Sequence, residues 1–488
     1  MIKNYVGKDL TTYEAELEGK NSFNSIITEG CLGDEKRTFS AQKNPYIFIS
    51  TIFAFIFAAL PFLTFIFACV YYKLTFEMLF VLWGVFYCVL LIAVTPIYLI
   101  NKKTLAKSEY SKFNVRSKTN NYKLLHIFAL IILVSITLST ILNIRTISLL
   151  NVFSIFTLFL VFICVAKIES RKINSFILLL ITSVAFSALL GLIDPVGAFI
   201  PGFSSSNANL SLFFANPNYA GYIMSMFIVL DVNLIIREKK GWRRLSYCAF
   251  YAIMAFYLYL NASFVPITAV YIVLISEMIA LWVKKRKFPL QLFLLIISFV
   301  IFAFLIMLYP NYLNYSTTTA PNFFVEAVAV FDNIFGTNLL HDWLHIDLIL
   351  GADGWDRTAL LTNALKQVLG SNEIGIISKI RTVFIGGGTG SLFYFRPHNL
   401  LLGLWIEYGI FVPIAFIGLV AYIIHYSMKK LIASKDNKGS ILNGLFFAAI
   451  CYLLCTIFGS LIVVHFCYFV IILALMIKQL DFNIINND

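Results

Sequence analysis

Charge is what this chain has least of. Only 13% of its 488 residues are Asp, Glu, Lys or Arg, about half the share of an average soluble domain, whereas 60% are hydrophobic and the mean hydropathy is +0.85. That excludes an ordinary soluble globular protein and predicts a polytopic membrane protein. Acidic residues are the scarcer sign, 25 against 37 basic ones, but the basic excess sits in short clusters between apolar runs. Such spacing is a topology signal, not a nucleic-acid surface. The long polar segment from 310 to 398 contains no cysteine; Cys31 lies in the N-terminal tail and the other seven lie in apolar runs. No disulfide framework is therefore expected, and Cys451 and Cys455, four apart on one helix face, read as packing residues.

Site motifs are equally sparse. GGGTG at Gly386–Gly390 lacks the Lys-Ser/Thr ending of a phosphate-binding loop and reads as a flexible turn. His341 and His345 in HDWLH lack a third ligand at a defined spacing, so neither a metal nor another cofactor is expected. The first apolar run begins only at Tyr46, behind a polar tail and without a small-residue cleavage site. An uncleaved anchor helix is expected there.

What the chain has in abundance is apolar runs near the ~20 residues that cross a ~30 Å hydrocarbon core. They fall at 46–72, 76–100, 124–144, 147–166, 175–193, 217–236, 245–261, 265–283, 289–309, 399–424, 441–459 and 462–477. The expected fold is all-α, with about 12 transmembrane helices and one large structured extracytoplasmic loop between helices 9 and 10. The divisions are a cytoplasmic N-terminal tail (1–45), helices 1–9 (46–309), the loop (310–398), helices 10–12 (399–477) and a cytoplasmic C-terminal tail (478–488). With both termini cytoplasmic, 30 of the 37 Lys and Arg residues fall inside, as the positive-inside rule requires.

Two helix starts at the outer face stand out. Pro217 in FFANPNYAGY suits a first helical position behind Asn216 as N-cap, and Pro397 suits the first turn of a helix carrying His398 and Asn399. Both helices would aim their partially positive ends at the outer surface, where an anionic headgroup can bind. In WDRTALLTNALKQVL, apolar Leu360, Leu361, Ala364, Leu365, Val368 and Leu369 form one stripe. An amphipathic helix is expected there, capped by Asp353 or Asp356 with Arg357 in its first turn. An earlier stretch, NFFVEAVAVFDNIFG, has the pattern of a second.

Arg357, Lys379, Arg381 and Arg396 supply cations to the loop, and guanidinium forks match diphosphate oxygens. The bland alternative is pairing with the loop's seven acids. His398 has the chemistry of a general base or a phosphate donor. Asp231 and Glu277 could belong to a proton path, but both lie within about two turns of basic clusters, so ion pairing or snorkelling is expected instead.

From Asn216 to Tyr426 the chain resembles the O-antigen ligase and O-antigen polymerase superfamily. The resemblance is carried by NPNYAGY opening a helix, Asp356-Arg357 opening a loop helix, FIGGGTGS, and HNLLLGLWIEYGIF entering the next helix. It implies inverting, metal-independent glycosyl transfer outside the cytoplasm, with an undecaprenyl-diphosphate lipid as leaving group. Arg357 and His398 become the implied catalytic residues, while Arg396, Arg381, Asn216, Asn218 and Asn399 complete the expected diphosphate-binding set. One departure is NASFVPI, where Ser263 is retained but Phe264 stands where the family commonly has Arg. That diphosphate contact is either missing or supplied from elsewhere, for instance by Arg381 or Arg396.

The expected function is polymerisation of a surface polysaccharide of O-antigen or capsule type at the inner (cytoplasmic) membrane. The alternatives are ligase-type transfer to lipid A core or protein and, from another class, transport of lipid-linked oligosaccharides. Expected partners are the lipid-linked glycan donor, a glycan acceptor and the bilayer, with no nucleic acid; polysaccharide-assembly proteins are further candidates.

Overall fold

The computed structural model describes residues 45–70, 76–109, 123–143, 149–194, 217–261, 263–307, 376–387, 399–433, 441–457 and 463–481, and their regular structure is helical throughout. The helices are α1 (Pro45–Ala58), α2 (Leu60–Val70), α3 (Phe76–Glu109), α4 (Lys123–Leu142), α5 (Leu149–Ala166), α6 (Ile173–Ile193), α7 (Pro217–Arg237) and α8 (Gly241–Leu260). They continue as α9 (Phe264–Lys285), α10 (Leu290–Met307), α11 (Ile376–Ile385), α12 (Leu400–Tyr408), α13 (Phe411–Ala433), α14 (Ile441–Ile457) and α15 (Val463–Asp481). Six of them (within α3, α4, α6, α7, α9 and α13) are long and apolar enough to cross a membrane, and the bent pair α1–α2 makes a seventh. The N-terminal tail and the loop helix expected after Asp356 lie outside the described residues.

Two expected spans are broken. The run from 46 to 72 bends by 62° between α1 and α2, where Pro61 has no N–H to continue the ladder. The run from 399 to 424 is not one helix. Its first nine residues form α12, the chain turns at Gly409 and Ile410, and the helix of spanning length is α13, beginning at Phe411.

Helix α7 is the axis of the bundle. Of its membrane-length window 89% is buried, against 22% for α3 and for α4, which face outward. α14, α8, α9 and α6 pack around it. Without a hydrophobic driving force between helices in lipid, close backbone approach decides such packing. Gly221 permits it: a Cβ there would stand 2.9 Å from Pro266 Cγ of α9.

In its second half α7 carries two polar groups to different neighbours. Asn233 Nδ2 donates to Glu277 Oε2 of α9 at 3.0 Å, and Asn443 Nδ2 of α14 donates to Glu277 Oε1 at 2.7 Å and to Asn233 Oδ1 at 2.8 Å. The triad therefore ties three helices together around one fully buried carboxylate. Asp231 is also fully buried, and both of its oxygens are without a hydrogen-bond partner among the described residues. Of the expected ion pairing or snorkelling, the snorkelling is overturned for both acids, which are fully buried rather than directed at the surface. The side chains are too short to reach the interface from the core of a close-packed bundle, so they stay inside it.

Glu277→Ala takes one acceptor from each asparagine amide, leaving Asn233 with Val229 O and Asn443 with Asn233 Oδ1, and should destabilise the bundle by about 1–3 kcal/mol. Glu277→Gln retains one acceptor and should lose less. Thermal unfolding of the purified protein in bilayer nanodiscs checks the order.

Candidate functional site

One end of the bundle gathers the start of α7, the end of α14 and the starts of α12 and α15. Asn399 is the N-cap of α12 rather than a helical residue: its Oδ1 accepts the Leu402 N–H at 3.0 Å. Its Nδ2 donates to Ile457 O, the last carbonyl of α14, at 3.1 Å. The side chain thus caps one helix and stitches it to another, using both ends of the amide. At the start of α7, exposed Asn218 accepts from Ser263 Oγ at 3.3 Å, and the same hydroxyl reaches Asn261 Oδ1 at 2.5 Å. Beneath it the fully buried imidazole of His465 stacks on Tyr219, with ring centroids 4.7 Å apart, and meets Tyr222 edge-on at 5.6 Å. Its Nδ1 lies 2.6 Å from Tyr452 Oη.

The far end of α12 is held by a reciprocal clasp with α11. The last carbonyls of a helix have no partner of their own. Here Trp405 O accepts from Gly409 N, Ile406 O from Gly387 N at 2.8 Å, and Glu407 O from Ser139 Oγ of α4 at 2.8 Å. In return, Val383 O of α11 accepts from Ile410 N at 3.0 Å and from Trp405 Nε1 at 3.1 Å. Two glycines permit the contact. Gly386 has φ +80° and a Cβ on it would lie 2.5 Å from Glu407 O, while Gly409 has φ +82° and its Cβ would lie 2.0 Å from Phe384 O. The first glycine of GGGTG is accordingly a helix-ending and packing residue, because a side chain there would collide with the backbone of α12.

Arg381 belongs to this clasp. Its Nη2 donates to Leu142 O, at the C-terminus of α4, at 2.7 Å and to Asn143 Oδ1 at 3.1 Å. The ends of α4, α11 and α12 converge here, and a guanidinium is the charge that three partially negative helix ends call for. Through these two bonds Arg381 ties α11 to the end of α4.

Below the clasp runs a wholly apolar cavity of ≈120 Å³. Leu404 and Tyr408 of α12 contribute to its lining, and it continues along the seam of α4, α5, α13 and α15, for example past Ile136, Phe162, Phe416 and Val470. A pocket with no polar lining suits a hydrocarbon chain and offers nothing to an ionic or sugar group.

Of the seven residues chosen from sequence, the structure brings Asn218 and Asn399 to the same end of the bundle, linked through α14 and α15, and gives Arg381 a structural task. Asn216, Arg357, Arg396 and His398 lie outside the described residues. The start of α7 at Pro217 agrees with expectation. His465 and Tyr452 were missed. The available signal was an imidazole at the beginning of an apolar run, an expensive residue for a membrane helix. Among the described residues no group of three His, Cys, Asp or Glu could hold a metal ion. No protein-family model and no curated protein matches the chain.

Gly409→Ala forces an L-residue into backbone space that is nearly glycine-only and against a carbonyl, which should cost roughly 3 kcal/mol. Gly241→Ala is the control, since a Cβ there meets nothing within 4 Å. Thermal unfolding should separate the two clearly, with Gly241→Ala neutral.

Proposed function

We propose that the protein is a membrane-integral, metal-independent glycosyltransferase that polymerises undecaprenyl-diphosphate-linked repeat units on the extracytoplasmic face of the inner membrane. The observation that carries the proposal is the meeting of two helix N-termini, those of α7 and α12, at one end of the bundle that also holds an apolar cavity. The two starts are the segments NPNYAGY and HNLLLG, which carry the resemblance to O-antigen polymerases and ligases. An anionic diphosphate with a hydrocarbon tail has the two chemistries such an arrangement accommodates.

Twelve crossings fit this topology. They comprise the six spanning helices, the bent pair, the shorter apolar helices α5, α10, α14 and α15, and α8. Reaction at the outer face removes nucleotide sugars from consideration, so the energy comes from the glycosyl–phosphate bond of the donor. The acceptor hydroxyl oxygen attacks the anomeric carbon from the face opposite the diphosphate. As that bond forms, the bond from carbon to the diphosphate oxygen breaks, undecaprenyl diphosphate departs and the hydroxyl proton passes to His398. Arg357 and Arg396, with the helix N-termini, offset the negative charge that grows on the leaving group. Asn216 and Asn218 sit at the first of those termini and Asn399 shapes the second.

Transport of the lipid-linked glycan is the competing role, favoured by the fully buried carboxyl group of Asp231 inside α7, whose oxygens have no hydrogen-bond partner among the described residues. Deleting the gene and complementing it with wild type, His398→Ala or Arg357→Ala separates the two. The transferase role predicts single repeat units on the surface with no ladder, and a loss of transfer of about 100-fold or more for either variant. Long chains stranded on the carrier lipid would indicate a ligase. Lipid-linked units accumulating on the cytoplasmic leaflet, or full complementation by both variants, would overturn the transferase role in favour of transport.

A further inference from the structure

His465 is an imidazole where a phenyl ring would serve packing equally well. It is the third residue of α15 and is fully buried, with two tyrosines of α7 and one of α14 around it. A buried polar ring in a membrane helix is retained only when its nitrogen is used, and here Nδ1 meets Tyr452 Oη at 2.6 Å. In either tautomer the pair shares one proton, so the bond fixes the rotation of the imidazole and the position of the phenol oxygen.

The partners define what that rotation controls. Tyr219, stacked on one face of the imidazole with 26° between the planes, is the residue after Asn218 in the first turn of α7. Tyr452, on the other side, is five residues before Ile457, whose carbonyl holds Asn399. His465 is therefore a polar link between the two helix starts, beside the packing of α7 on α14 and the Ser225–Cys455 contact. From Asn218 the connection runs through Tyr219, His465 and Tyr452 to Ile457 and Asn399, with His398 one residue further. Loss of the imidazole–phenol bond removes the polar tie nearest the two helix starts among the described residues and leaves packing and the Ser225–Cys455 contact to hold them.

We infer that His465 is a positioning residue, one that sets the separation between Asn218 in the first turn of α7 and the Asn399 cap of α12 without touching substrate. Its importance for turnover rests on the transferase role proposed above; the geometric part does not. Misplacing reacting groups by about 1 Å can cost ~100-fold in rate, so the effect belongs mainly in kcat.

Two measurements test it. In nanodiscs, with a lipid-linked glycan as donor, His465→Phe and Tyr452→Phe each keep a ring and remove the bond. Each is expected to lower kcat about tenfold to a hundredfold, with donor KM within roughly twofold. His465→Asn, whose amide oxygen can take the place of Nδ1, should recover most of the rate. The double variant should be no worse than either single one, because both remove the same bond. Separately, spin labels at positions 218 and 401, both exposed, should give a narrow distance distribution in wild type and a broadened one in His465→Phe and in Tyr452→Phe. An unchanged distribution in both variants overturns the inference, as does a rate loss that only follows the unfolded fraction and that His465→Asn fails to recover. If wild type transfers no glycan, the transferase role falls, and the distance measurement alone still decides whether His465 positions the two helix starts.

Discussion

A helix that ends among apolar neighbours must find partners for its last carbonyls, and that requirement governs this end of the molecule. α11 and α12 meet it by lending each other backbone N–H groups across Gly386 and Gly409, with Ser139 and Trp405 supplying the remaining donors. The chain can leave the helical path between Tyr408 and Phe411 only because those donors are present. Once it does, α13 is free to run alongside α4 and α15, and the seam between them becomes a cavity rather than a packed interface.

The clasp also divides the electrostatics of this end into two regions. Around Leu142, Ile385 and Tyr408 three helix C-termini concentrate partial negative charge, which Arg381 offsets. Around Pro217 and Asn399 two N-termini present partial positive charge, with the Asn399 amide and the His465–Tyr452 pair holding them in register. The difference in polarity between the two regions belongs to the backbone.

How much of this was legible depended on whether the deciding signal was local. Helix existence followed from hydropathy, and the start of α7 followed from Pro217, whose ring fits only a first turn. The same logic failed for Pro397, because Asn399, a strong capping residue two positions later, claims the N-cap and delays the helix to Leu400. The expected span from 399 to 424 concealed a break because hydropathy is continuous through Tyr408, Gly409 and Ile410; the reason for the break lies in Phe384 and Val383, on a distant segment. α11 was missed because it lies in what reads as a polar loop, although Ile376, Ile377, Ile380, Val383 and Phe384 repeat at helical spacing. Arg381 could not be assigned from sequence, since a guanidinium suits a carbonyl cluster and a diphosphate equally well.

The central position of α7 bears on how the protein is made. The helix is made well before its most extensive neighbour among the described residues, α14, which lies more than two hundred residues later. The asparagine that completes the Glu277 triad, Asn443, arrives on that same late helix. Until then α7 and α9 must reside in the bilayer or the insertion machinery with Asn233 and Glu277 lacking their α14 partner, although both are too polar to be at ease in lipid. The core around α7 therefore closes only when α14 arrives, and a ribosome that stalls before α14 leaves an early core that cannot settle. Quality-control proteases that survey the membrane would find such fragments by the acidic and amide groups still open to them.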